Sequence, residues 1–229
     1  MNRAAGIALI LLLLLFPVAL WGEEPAVSID EVRSRLRTAG YSLEEDPRLL
    51  SLLEDAEEQA IPISMLTPRI YEGAAKRVPL SKIAAVLQRE IQFLLRARSL
   101  LRSVYENERY LEHRPIWQRT ALLLRKEITE KDIRKLVRVT LPVSEEKYRP
   151  ASALFISLTS WGLTQEQTHR VIEALVGSSI PPEQYTGITK LYNRARAQRL
   201  SPERLTERIV EAAPSSDSLR ELEKRTVME

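Results

Sequence analysis

At intervals along the chain an apolar residue is followed at once by a proline or a helix-capping hydroxyl residue. The junctions are Ile61-Pro62, Val78-Pro79, Ile128-Thr129, Leu163-Thr164, Ile180-Pro181 and Leu200-Ser201-Pro202. Proline lacks the N–H that a helix interior needs, and Ser or Thr accepts from the first unpaired N–H groups of a helix. Each junction therefore ends one helix and opens the next. Capping boxes read at Ser28–Glu31, Ser42–Glu45 and Thr164–Gln167, and Gly40, Gly162 and Gly177 read as stops. Thr129 opens a short helix to Leu141-Pro142, and Ser64 and Ser81 read as further caps. The same grammar places helices after Pro150 (Ala151–Trp161), over Glu183–Gln198 and after Ser201-Pro202, with a frayed one over Ser216–Thr226. No stretch alternates with period two, so no sheet is assigned. The expected fold is all-α: stacked short helical hairpins, as a degenerate helical repeat or an orthogonal bundle, around one long helix near 81–112.

One internal echo supports stacking. At an offset of 139, Leu52, Ala56, Gln59, Leu66, Thr67, Arg69, Ile70, Glu72 and Ala74 recur as Leu191, Ala195, Gln198, Leu205, Thr206, Arg208, Ile209, Glu211 and Ala213. Each short helix carries one apolar stripe, so neighbours must shelter one another.

Composition narrows the chemistry. The chain has 229 residues, 44% of them hydrophobic and 28% charged, with 7 glycines and no cysteine. A disulfide scaffold, a cysteine zinc site, a thiol enzyme and a lipid-anchored lipoprotein are excluded. Scarce glycine argues against a phosphate-cradling loop.

The first segment reads as an address. Arg3 is the only charge before Glu23, and the run Ile7–Phe16 is wholly apolar. A positive start, a short apolar core and a polar break form an export signal over 1–22, cleaved after Gly22 or, left uncleaved, a tether of marginal spanning length. The expected organisation is this signal, an N-terminal helical lobe over 23–112 and a C-terminal lobe over 113–229. The expected location is the periplasm of a bacterial envelope, with membrane contact only through an uncleaved N-terminal segment.

The two histidines and the paired acids carry little catalytic signal. Glu166, His169 and Glu173 share a helix face that suits surface ion pairing better than a metal. Glu57-Glu58 and Glu145-Glu146 are adjacent on helices and point about 100° apart, unlike a facing catalytic pair. No cofactor is expected.

Charge is distributed unevenly. Residues 23–60 hold 4 basic and 11 acidic side chains, 61–150 hold 19 and 10, and 151–229 hold 10 of each. Lys82, Arg89 and Arg96 recur every seven residues and form one stripe of the long helix. The basic middle either pairs with the acidic N-terminal segment, faces an anionic partner or is an ordinary solvated face. Nucleic acid is not expected, since no aromatic platform accompanies the charge. Trp161, just before Gly162, reads as core; Trp117, at a helix boundary, stays open between a core residue and an interface anchor. The chain is thus expected to be a non-enzymatic scaffold. It would bind another envelope protein or an anionic envelope surface through a helical groove with Lys82, Arg89, Arg96 and Trp117. The rivals are an envelope hydrolase with carboxylates converging from separate helices, and a membrane-tethered protein.

Overall fold

A computed structural model describes residues 27–43, 46–104, 113–141 and 145–228. The expected export signal, Glu44 and Glu45, and the expected continuation of the long helix over 105–112 lie outside the described residues. The described chain is all-α, with eleven α-helices and no strand.

Helices α1 (Ile29–Thr38), α2 (Pro47–Glu58) and α3 (Thr67–Ala75) precede the long α4 (Leu80–Val104). Then come α5 (Arg114–Arg125), α6 (Glu130–Thr140), α7 (Glu145–Ser160) and α8 (Gln165–Val176). A 3-10 turn, Pro182–Gly187, leads into α9 (Ile188–Ala197), α10 (Pro202–Ala212) and α11 (Leu219–Glu223). Helix α4 spans about 37 Å at the standard rise and is packed by α2, α3, α5 and α6. Helix α7 is the second hub, packed by α5, α6, α8, α9 and the 3-10 turn. Helix α10 lies on α8, and the last turn, Lys224–Met228, packs on α10.

The junctions work as their residue types require. Six helices end on a residue with positive φ: Gly40 (86°), Ala60 (54°), Arg77 (54°), Glu127 (60°), Gly162 (94°) and Arg199 (59°). After each, the N–H of an apolar residue turns back to the helix it has just left. Ile61 N donates to Ala56 O at 2.8 Å, and Leu200 N to Ala195 O at 2.9 Å. Tyr41, Val78, Ile128 and Leu163 do the same at 2.9–3.2 Å. This pairing satisfies the last carbonyls of a helix and pins an apolar side chain under its end. Residues 60 and 199, 61 and 200, and 56 and 195 are all 139 apart, so the echo in sequence is an echo in backbone. Eight of the nine identical pairs also match in burial; only Leu52 is half-buried where Leu191 is buried.

Several local expectations are corrected. At Ser28–Glu31 only half the box forms: Ser28 Oγ accepts from Glu31 N, while the Glu31 carboxylate turns to Arg35 at 2.7 Å. The Thr164–Gln167 box is complete. Ser64 lies in a 3-10 turn and Ser81 inside α4, so neither caps a helix. Pro150 does not open a helix; α7 begins at Glu145 and runs through it. Burial of Tyr148, Ala151, Leu154, Phe155 and Leu158 outweighs the roughly 3 kcal/mol an interior proline costs. Gly177 has φ −78° and is no left-handed stop, because Ser178 Oγ donates to Leu175 O at 2.7 Å and closes the end itself. Helix 183–198 is split: Gly187 meets α11 so closely that a Cβ there would sit 2.3 Å from Leu219 Cδ2. The C-terminal segment is packed rather than frayed, with Leu222, Thr226 and Val227 buried.

Candidate functional site

Lys82, Arg89 and Arg96 lie where their spacing places them, on the face of α4 opposite its apolar stripe. Lys82 and Arg89 are exposed and form no ion pair among the described residues. Arg96 is paired with Glu130 of α6 at 3.0 Å, and its hydrogen bond holds the Glu130 carboxyl below the usual carboxylate range. The acidic N-terminal segment does not supply that partner. Asp30, Glu31 and Asp46 pair with Arg33, Arg35 and Arg48 of their own segment. Glu54, Asp55, Glu57 and Glu58 stay exposed on α2.

The two tryptophans differ in burial. Trp117 is 3% exposed, its Nε1 donates to Leu94 O, and Arg98 stacks over its ring with the guanidinium carbon 5.4 Å from the centroid. It is a core residue joining α5 to α4, not an interface anchor. Trp161, expected in the core, is 36% exposed. It borders a small cleft of about 230 Å³ with Tyr192, Leu200 and Leu205.

His169 does not face Glu166 and Glu173 as a site. It is buried edge-on against Phe155, and its Nε2–H donates to Asp132 Oδ1 at 3.1 Å, tying α8 to α6. Glu173 pairs with Lys135 at 2.9 Å. Burial holds His169 below its ordinary 6.5, Lys135 adds to this, and Asp132 opposes it. The native ring is therefore neutral where the unfolded one takes up a proton. Stability is complete above about pH 6.5 and falls as the pH drops from there through the lowered native value. In denaturant titrations from pH 7.5 to 5, H169N should flatten this decline; an unchanged slope would assign it to other groups.

The arrangement with most chemical content lies where α3, α4, α5 and α7 meet, and it begins from a buried hydrogen bond. Thr120 Oγ1 donates to Ile116 O at 2.8 Å, which commits its only proton. Tyr148 Oη therefore donates to Thr120 Oγ1 at 2.7 Å, pinning α5 to α7. Tyr148 is 1% exposed, and burial pushes its hydroxyl well above the ordinary tyrosine value. The residue beside each on its helix, Arg119 before Thr120 and Arg149 after Tyr148, then faces one groove.

That groove has a volume of about 500 Å³. Four arginines reach it: Arg69, Arg119, Arg125 and Arg149. Arg69 pairs with Glu72 at 3.2 Å and Arg125 with the buried Glu90 at 2.8 Å. Arg119 and Arg149 have no acidic partner among the described residues. Arg119 is half-buried, and burial followed by the charge of Arg149 holds its guanidinium below the ordinary value. Both arginines also border an adjoining groove of about 410 Å³, which Glu146 and Glu183 line with them. Two like charges side by side, with carboxylates nearby but no direct ion pair among the described residues, can still accept an anionic group.

Sequence reasoning passed over both residues, because they stand 30 positions apart on different helices. The usable signal was the inward spacing of Ile116, Thr120, Leu123 and Leu124 on α5, which puts Arg119 at the edge of a buried face. Comparison of the chain with protein-family models, curated proteins and solved structures gives no match.

Proposed function

We propose that the protein is an exported helical scaffold that holds an anionic component of the bacterial envelope in the groove between α3, α5 and α7. The observation that carries this is the pair Arg119 and Arg149, which share a concave surface and have no acidic partner among the described residues. Arg119 is half-buried, and burying positive charge is unfavourable unless it is paired, so Arg119 gains most when a ligand supplies the counter-charge. The basic stripe at Lys82 and Arg89 is exposed and contributes long-range attraction rather than a seat. The composition and run of residues 1–22 support the export half of the reading.

Crosslinking in envelope extract at low salt tests this. The chain should retain a component that R119E/R149E does not retain, and the yield should fall as salt is raised. Equal capture by both proteins would sink the proposal. A reporter enzyme fused after residue 22 should be active outside the cytoplasm.

A further inference from the structure

The walls of the groove say more about its ligand than its charge does. Two helices begin at its edge, α3 and α5, and each carries proline in its first turn: Pro68 and Pro115. A helix start is normally a ready anion seat because its free N–H groups point outward. Proline removes one of those donors at each start and presents a ring instead. Both rings are exposed, and Met65 and Leu122 extend the apolar lining between them. The surface thus joins exposed apolar rings to two guanidiniums without an acidic partner among the described residues, with few main-chain donors. A guanidinium forks phosphate as readily as carboxylate, but a bare phosphate leaves the apolar rings uncovered. A carboxylate next to an aliphatic side chain matches it well, because each guanidinium meets one carboxylate as a two-pronged fork and the side chain lies on the prolines.

We infer that the groove takes an extended acidic peptide segment, in which two carboxylates reach Arg119 and Arg149 and a branched aliphatic residue between them lies on Pro68, Pro115 and Leu122. This rests on the groove being the binding surface and names the partner as a protein segment. Within the lining of this groove Arg69 and Arg125 are paired and Arg119 and Arg149 remain for two carboxylates, while Glu146 and Glu183 line the adjoining groove.

The test uses the full chain and a fluorescein-labelled decapeptide alternating Glu and Leu, followed by anisotropy at low salt. Saturable one-to-one binding is expected. R119Q and R149Q should each weaken it at least about tenfold, and L122S by a similar factor without any change of charge. K82Q/R89Q should bind as the parent does. A peptide with Ser for Leu should bind at least about tenfold more weakly. Arg149 is exposed, so R149Q keeps the test valid if R119Q unfolds. Three results would overturn the inference: no binding of the Glu-Leu peptide, equal binding of the Glu-Ser peptide, or its displacement by millimolar inorganic phosphate or by phosphatidylglycerol vesicles. If the peptide fails while R119E/R149E still loses its envelope component, the peptide assignment falls and the scaffold reading stands. If capture is also indifferent to both arginines, both readings fall.

Discussion

Replacing Trp117 with alanine should lower stability by about 3–5 kcal/mol, the range for a large aromatic taken from a packed interior. Replacing Trp161 should lower it by only about 1 kcal/mol, since the side chain already meets water. For a chain of this size the first loss corresponds to a fall in Tm on the order of 10 °C. The physical reason is that Trp117 does three jobs at the α4–α5 contact. Its ring fills the space between the helices, its Nε1 donates to Leu94 O, and its face carries Arg98. Arg98 in turn donates to Gln59 O at 2.6 Å, closing the end of α2. W117A therefore loosens α2 as well as α5, and in a double-mutant cycle with R98M the two losses should be less than additive. Thermal unfolding of the four proteins measures this. Equal effects of W117A and W161A would show that the two rings are equally buried, contrary to the packing described here.

That contrast also marks where sequence stops being informative. Helix positions follow from local chemistry, and so the caps at Asp46, Thr129, Thr164 and Ser201 are legible from a few residues. Which end of a helix is covered depends on what packs there from elsewhere. Trp161 sits at the last turn of α7, before a left-handed residue, and nothing nearby fixes its neighbours. Trp117 shares one face with Ile116, Thr120, Ala121 and Leu124, a spacing that already points it inward. Pro115 beside it drew attention to a boundary instead. The groove was less legible still. Arg119 and Arg149 matter through a hydrogen bond between Thr120 and Tyr148, a pairing across 28 residues that no local pattern encodes. The basic excess of 61–150 was visible, but its members differ in fate. Arg96 and Arg125 find partners on other helices, while Arg119 and Arg149 do not.

The left-handed helix ends give the largest stabilising change expected in this molecule. Four of the six are occupied by residues other than glycine: Ala60, Arg77, Glu127 and Arg199, with φ between 54° and 60°. An L side chain in that conformation crowds the next carbonyl, at about 1–2 kcal/mol. Glycine relieves the crowding but adds about 0.5–1 kcal/mol of unfolded-chain entropy. The net gain is about 0.5–1 kcal/mol per site, and A60G/R77G/E127G/R199G should gain about 2–4 kcal/mol. Nothing is lost with the side chains: all four are exposed, and none makes a hydrogen bond or ion pair among the described residues. The sites are far apart along the chain and share no partner, so their effects should add. The opposite change supplies the control. A Cβ added at Gly40 or Gly162 meets nothing within 4 Å, so G40A and G162A test backbone conformation alone. Each should cost about 1 kcal/mol. Calorimetry should place the quadruple glycine variant on the order of 10 °C above the parent and each alanine variant a few degrees below it. If glycine and alanine prove interchangeable at all six positions, the apolar residue that follows each one, from Tyr41 to Leu200, fixes the turn by packing alone.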